Sequence, residues 1–376
     1  MMRSFSQLVD DLEAGRISRR QLLAALAAAF AVPAVAFGQE PAAGRGRGAQ
    51  PRDTTPLVPP FEATGWKTVW LDHLSYQCVD YKKAAAFYAT LMGWKVRSDD
   101  GKQAVLDMGD NSGGIVIRGG LAAPPPAAIT DAGLGVSRPP VHAVFDGFAW
   151  GIAPWDTNKV KAELEKRGLN PIADHHGADY QSFRVKDPDG FDLAITNGTK
   201  ALRRKTTAKA KLPAPAPFEP TGWETLYLDH ISFEVPDFRR SAAFYQALLG
   251  WTMRTGNGTQ ASAQIGDIGG AIIRGNAAAR ARARGGDTAA APETKPANGV
   301  TAAIGHISFG IANWNTERVR AELIKRNVVY VNKDGQREPR PDMTGTLESF
   351  HVPDAMGWDI QIGNKIAPSR SETQQA

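Results

Sequence analysis

Apolar and polar residues alternate over residues 226–235, the two-residue period of a strand with one buried face. Pro236 and Asp237 follow, and Ala243, Phe244, Ala247 and Leu248 then recur at helical spacing until Gly250 and Trp251 end the segment. Three further alternating runs, at residues 253–255, 260–265 and 271–274, are parted by Gly256-Asn257-Gly258 and Gly269-Gly270, which read as turns. After a loop rich in Pro, Ala and Arg at residues 276–298 the pattern starts again. It gives a strand at residues 304–311, a helix at residues 316–326 with Val319 and Leu323 inward, and the remaining strands within residues 328–361. Residues 68–118 and 144–196 run likewise, so the pattern predicts four modules of one strand, one helix and three strands.

The repetition also has a longer period. Thr64-Gly65-Trp66 and the strand after it return at Thr221-Gly222-Trp223, and the strand–turn–strand of residues 182–197 returns at residues 349–364. Such a period marks whole domains rather than solenoid units. The expected organisation is a first domain at residues 64–200, a linker at 201–220 and a second domain at 221–365, with a tail at 366–376. The Lys, Ala and Pro content of the connector reads as exposed and extended, which predicts domains separable in stability. Proteolysis is then expected first at residues 198–220 or in the long loops at 121–140 and 276–298.

The two copies differ in chemistry. His73 matches His230, but Gly147 stands opposite His306, Ala194 opposite Gln361 and Arg184 opposite His351. Three chemically capable groups are missing together from the first copy, as expected if they serve one site in the second. The first domain then reads as a scaffold, with His142, His175 and His176 solvated.

Four βαβββ modules in two domains, with Phe87-Tyr88 and Phe244-Tyr245 in module helices and Asp187-Pro188-Asp189-Gly190 in a final hairpin, resemble the vicinal oxygen chelate superfamily. That superfamily includes glyoxalase I, the fosfomycin and bleomycin resistance proteins and the type I extradiol dioxygenases. The resemblance covers residues 64–365 and implies an α+β fold in which paired modules curl around a cleft, with ligands on the concave face. Strand parity sends Ile231, Phe233, Ile307 and Phe309 beneath the helices, leaving His230, Ser232, Glu234, His306 and Ser308 toward the cleft; Gln361 shares its face with Asp359. Similarity to the extradiol dioxygenases implies that His230, His306 and Gln361 are metal ligands, at positions where the family carries two His and one Glu. Gln361 departs from that pattern, since an amide oxygen can coordinate but neutralises no charge. His351, ten residues earlier, stands where the dioxygenase signature has a Tyr near substrate, and is a candidate acid or base. Arg274, with its counterpart Arg118, is a candidate contact for an acidic ligand or an ion pair at the cleft edge. Glyoxalase I is disfavoured, because its fourth ligand, a Glu, would fall in residues 271–275, which contain none.

Composition adds limits. The 376 residues carry 44 Lys and Arg against 39 Asp and Glu, a formal charge of +5. The basic runs (Arg45 and Arg47; Lys200, Arg203, Arg204 and Lys205; Arg280, Arg282 and Arg284) lie in connectors without interleaved aromatics, which argues against nucleic acid as a partner. Ser18-Arg19-Arg20-Gln21-Leu22-Leu23, the apolar run to Phe37 and the small residues Ala36 and Gly38 resemble a twin-arginine export signal over residues 1–38, followed by a disordered linker at 39–63. That implies a periplasmic or otherwise extracytoplasmic protein, handled by the twin-arginine machinery and not inserted in the membrane after cleavage. A single cysteine, Cys78, excludes an intramolecular disulfide and reads as a small buried apolar group. Three classes of function stay open: a metal-dependent enzyme (Fe, Mn, Zn or Ni) acting on a small oxygen-rich or aromatic molecule, a metal-free binding protein, and an envelope scaffold.

Overall fold

The structure, a computed structural model, describes residues 55–110, 112–122, 130–131, 136–137, 139–176, 179–205, 210–255, 258–276 and 300–366. The expected export signal, most of the linker behind it, most of the loop after residue 276 and the tail from residue 367 lie outside the described residues. All described residues belong to one compact unit.

The first half opens with β1 (Lys67–Cys78), α1 (Tyr81–Met92), β2 (Lys95–Asp99), β3 (Gln103–Asp107) and β4 (Gly114–Arg118). Two short strands, β5 (Thr130–Asp131) and β6 (Val136–Ser137), lead to β7 (Ala143–Ala153), α2 (Thr157–Lys166), β8 (Ile172–Ala173), β9 (Ser182–Lys186) and β10 (Asp192–Thr196). Within each module the first strand pairs parallel with the last, and the two first strands, β1 and β7, pair antiparallel. The result is a mixed sheet in the order β2-β3-β4-β1-β7-β10-β9-β8. After α3 (Lys200–Arg204) the second half repeats the plan with β11 (Thr225–Val235), α4 (Phe238–Leu249), β12 (Thr252–Thr255), β13 (Gln260–Ile265) and β14 (Gly269–Gly275). It continues with β15 (Ala303–Ile311), α5 (Thr316–Lys325), β16 (Tyr330–Asn332), β17 (Arg337–Glu338), β18 (Arg340–Thr344), β19 (Leu347–Pro353) and β20 (Asp359–Gly363). Its sheet runs β12-β13-β14-β11-β15-β20-β19-β18, so the chain is a tandem of βαβββ modules, α+β in class.

The helix ends follow from local chemistry. Asp80 caps α1 by accepting from the Lys83 amide, and Asp237 caps α4 by accepting from the Arg239 and Arg240 amides. Gly93 and Gly250 end the two helices at φ 71° and 68°, a left-handed geometry that costs glycine little. A side chain is excluded at both for a second reason. A Cβ on Gly93 would lie 2.1 Å from the carbonyl oxygen of Trp223, and one on Gly250 would lie 2.2 Å from that of Trp66.

Those contacts cross between the halves, and so does most of what the repeat conserves. Thr64 Oγ1 donates to the Leu248 carbonyl at 2.8 Å, and Thr221 Oγ1 donates to that of Leu91 at 2.6 Å. Trp94 stacks on Tyr88 and its Nε1 donates to Thr225 of the other half; Trp251 stacks on Tyr245 and donates to Thr68. Tyr76 and Tyr88 both donate to buried Asp354, while Tyr245 donates to buried Asp187. The Phe-Tyr pairs and Asp-containing turns are thus fastenings between halves around one continuous core.

Two connections are more ordered than their composition suggests. The connector begins with α3, whose Thr199 side chain accepts from the Leu202 amide and whose Arg203 reaches the first-half sheet, so it is not an extended tether from its start. Within the loop at residues 121–140, β6 pairs with β16 of the second half in a small sheet of order β17-β16-β6-β5. Cys78 is fully buried, as its phase predicts, and burial pushes its thiol up to about 12.

Candidate functional site

Leu228 and His230 have the same strand parity, yet Leu228 is fully buried in the core and His230 faces the opposite side. A β-bulge resolves the conflict: the β11–β15 register shifts between Leu228 and His230, so Asp229 is an extra residue. The bulge turns Asp229 toward its neighbour, and His230 Nδ1 lies 2.7 Å from Asp229 Oδ2. Beyond it the register aligns His230 with Ser308, Ser308 with Gln361, Gln361 with His351 and His351 with Arg340. Five strands therefore contribute to one polar row, with His306 in the next row opposite Ser232.

Three imidazoles meet on this face. His230 Nε2 and His306 Nε2 are 2.9 Å apart, and the rings of His306 and His351 have centroids 4.7 Å apart. His351 Nδ1 is 3.0 Å from Asp359 Oδ2, while Tyr330 donates to the other Asp359 oxygen at 2.9 Å. The outer two histidines are thus each gripped by a carboxylate at Nδ1, which assigns the proton there and leaves Nε2 as the lone-pair nitrogen. His306 is held well below the ordinary imidazole range, first by burial and then by repulsion from His230, His351, Arg274 and Arg340. It is a neutral ring in an electropositive site.

Gln361 is nearly fully buried. Its Nε2 donates to Ser349 Oγ at 2.8 Å and lies 3.4 Å from Asp342 Oδ2, which fixes the amide orientation and leaves Oε1 buried without a hydrogen-bond partner among the described residues. Ser232 Oγ and Arg340 Nε are orphaned in the same way. Leaving such groups unsatisfied costs about 1–3 kcal/mol each, so three on one face point to a ligand. Asp342 also stands 3.9 Å from His351 Nε2, and its carboxyl is held below the usual range, chiefly by its interaction with His351.

Two donor sets compete for a metal ion, and they share His306. One joins it to His351 and Asp359, whose ligating atoms lie within 4.8 Å of one another. The other is the sequence-derived set of His230, His306 and Gln361. Asp359 is already engaged by His351 and Tyr330, with Arg340 at 3.7 Å, whereas Gln361 Oε1 is uncommitted. Two nitrogens each about 2.0–2.1 Å from one ion at a right angle would be about 2.9 Å apart, the separation that His230 and His306 already have. The second set therefore fits a divalent ion better, with Asp229 as the carboxylate behind His230, while Asp359 backs His351 outside the set.

Of the other residues expected at the cleft, Ser308 lies in the row itself and Asp359 behind His351. Glu234 pairs in register with Arg274 and lies over Gly305, at the edge of the histidine cluster. The sequence reading missed Asp229, Tyr330, Arg340 and Asp342. Asp229 carried a signal, since Leu-Asp-His occurs in both copies; Arg340 and Asp342 alternate in a strand that the pattern did not delimit.

In the first half the same bulge recurs between Leu71 and His73, and Asp72 Oδ2 holds His73 Nδ1 at 2.8 Å. Gly147 stands opposite Ser75 as His306 stands opposite Ser232, and Ala194 pairs with Arg184 as Gln361 pairs with His351. The histidine has its carboxylate but no partner across the strands.

Residues 70–195 match the family described as the Glyoxalase/Bleomycin resistance protein/Dioxygenase superfamily. Among solved structures, the homoprotocatechuate 2,3-dioxygenase of Arthrobacter globiformis superposes with a TM-score of 0.51 at 17% identity, over 82% of this chain and 83% of that one. The Brevibacterium fuscum homoprotocatechuate 2,3-dioxygenase, in complex with 3,4-dihydroxyphenylacetate, superposes with a TM-score of 0.53 at 16% identity, over 82% and 84%. No curated protein matches the sequence. At these identities the structural likeness establishes the fold alone. The chain thus carries, over residues 70–195, a domain of the Glyoxalase/Bleomycin resistance protein/Dioxygenase superfamily, and its second half repeats that fold.

Proposed function

We propose that the second half is a metal-dependent enzyme acting on a small oxygen-rich or aromatic molecule. His230, His306 and Gln361 are the ligands of one divalent cation, and His351 is the acid or base. The activity is of the extradiol ring-cleaving dioxygenase type, with a lyase or isomerase of the same superfamily as the alternative within it. The observation that carries this reading is the 2.9 Å approach of two imidazole nitrogens, with a carboxylate behind His230.

A bound divalent cation would supply Lewis-acid activation of substrate oxygens. The remaining work falls to the chain. With two neutral imidazoles and an amide as ligands, no ligating carboxylate offsets positive charge, and Arg274 and Arg340 add to it, so the site favours a substrate that arrives as an anion. His351, held by Asp359 at Nδ1, takes a proton at Nε2, and Asp342 at 3.9 Å stabilises the imidazolium that results. Ser232 Oγ is a ready hydrogen-bond donor to a bound oxygen. Elemental analysis of protein purified without added metal tests the reading. About one equivalent of Fe, Mn, Zn or Ni per chain is expected, and its loss in His306→Ala with unchanged circular dichroism. Wild-type protein that stays metal-free after exposure to each of these ions would transfer the site to the metal-free binding class.

The same reading includes export before function, supported by Arg19 and Arg20 ahead of the apolar run. Arg19→Lys with Arg20→Lys should leave precursor in the cytoplasm. Unchanged export of the double variant would remove the twin-arginine route.

A further inference from the structure

The concave face of the first half, expected to be scaffold, encloses a cavity of about 880 Å³, in the size range of small-molecule sites. It exists because the groups that fill the second half are missing there: Gly147 and Ala194 line it at the positions of His306 and Gln361. Val105, Val116 and Leu202 give it apolar walls.

One pole of the cavity is cationic. Arg97 Nε and Arg203 Nε both donate to Asp107 Oδ1, at 2.9 and 2.7 Å, so two guanidinium charges share one carboxylate. Arg203 arrives from α3, where it also donates to the Asp72 carbonyl at 3.2 Å, and the connector helix thereby closes one side. Arg118, tied to Asp146 and Ser75, adds a third guanidinium to the lining. The lining carboxylates are each engaged already, Asp174 with Arg184, Asp179 with Lys205, Asp192 with Lys186, and Asp72 with His73 and Tyr180. His73 lines the same space with Nδ1 held by Asp72, leaving Nε2 for a ligand. Among the described residues the one cluster with metal-ligand spacing lies in the other half.

We propose that this cavity is a second ligand site, binding a small organic acid with a ring-sized apolar body and needing no metal. The carboxylate lies at the Arg97–Arg203 pole, and the apolar body lies against Val105, Val116 and Leu202 in the space left by Gly147 and Ala194. Two guanidiniums facing a carboxylate form charge-assisted bonds that an uncharged amide cannot match. The site is independent of the metal centre and stands or falls without it.

Isothermal titration of the mature chain with benzoate and phenylacetate, and with benzamide and phenylacetamide as uncharged controls, tests the proposal. Saturable one-to-one binding of at least one acid is expected, at least about tenfold weaker for its amide. It should be preserved in His306→Ala, abolished in Ala194→Phe, which fills the cavity, and weakened at least about tenfold in Arg203→Gln. Absence of saturable acid binding would overturn the proposal, as would equal affinity for acid and amide. Binding lost in His306→Ala but kept in Ala194→Phe would place the ligand in the second half and overturn it equally. If circular dichroism shows Ala194→Phe misfolded, Arg203→Gln decides alone, and unchanged affinity there sinks the assignment.

Discussion

The two halves share a sheet order, a bulge and an Asp–His pair, yet among the described residues only the second brings three histidines together on one face. In both, the extra residue of the bulge is the Asp that grips the histidine, so the dyad is a product of the fold. What differs is the facing strand. His306, one row along the facing strand, brings its Nε2 to 2.9 Å from that of His230; in the matching place beside His73 stand Gly147 and an open cavity. A carboxylate-oriented histidine is therefore not a metal site by itself, and the residues at the positions of His306, Gln361 and His351 separate a closed polar cluster from a roomy cleft.

The sharpest way to break this comparison is to remove matched histidines. His230→Ala and His306→Ala should each weaken metal binding by at least about a hundredfold, since losing a ligand exceeds the effect of losing its orienting partner. His73→Ala should leave metal content unchanged, as measured on dialysed protein by elemental analysis. Equal depletion by His73→Ala and His230→Ala would erase the distinction between the halves.

The halves also differ where they fasten to each other. Asp187 receives one tyrosine hydroxyl and lies near Asp189, whereas Asp354 receives two tyrosines and has Met356 at the position of Asp189. Burial, reinforced by Asp189, raises Asp187 to about 6; Asp354 is raised as well, by burial. A carboxyl with a raised folded-state pKa binds more protons folded than unfolded between the two pKa values, so its contribution makes stability fall as pH rises. For Asp187 the window runs from the ordinary aspartate value of 3.8 to about 6, worth about 3 kcal/mol. Asp187→Asn should flatten the decline in that window in urea melts at stepped pH, and an unaltered slope would assign the pH dependence elsewhere. The same melts should show one transition for both halves, because the reciprocal Trp–Thr and Tyr–Asp contacts join their cores. Two resolved transitions would restore the separable domains that the linker composition predicts.

Next in size is the orienting carboxylate. Asp229→Asn should lower metal affinity by about 10–100-fold, because the amide no longer fixes the His230 tautomer. Asp72→Asn should leave metal content untouched. A metal titration in which the two variants behave alike would mean that the dyad serves only the bulge.

The sequence made the modules legible because periodicity reports which face of each element is buried, and it placed Gly147 and Ala194 opposite His306 and Gln361 correctly. Simple alternation placed Leu228 and His230 on one face, however, and could not reveal that Asp229 turns beside His230, since a bulge changes parity without changing composition. Composition likewise hid Arg203: in a Lys- and Ala-rich stretch it reads as a solvated charge, and only the fold carries it to Asp107. The Thr-Gly-Trp and Phe-Tyr repeats were visible, but their role in joining the halves needed three-dimensional contacts.

The smallest expected effect concerns Gln361, where the proposed ligand set lacks a charged oxygen. In the protein without metal, Gln361 Nε2 faces Asp342 Oδ2 at 3.4 Å and donates to Ser349, so Gln361→Glu turns a favourable donor into a carboxylate beside a carboxylate. That repulsion, at a site where Asp342 is half-exposed, should lower apo stability by about 1 kcal/mol. A divalent cation reverses the balance, because the new carboxylate supplies the formal counter-charge at nearly constant volume. Affinity should then rise by about tenfold, and thermal melts should show the variant less stable than wild type without metal and more stable with it. Ala194→Glu in the first half should produce no metal-dependent stabilisation, for no histidine faces that position. If Gln361→Glu leaves the metal-induced shift as it is in wild type, Gln361 is not a ligand, and the set of His306, His351 and Asp359 takes its place.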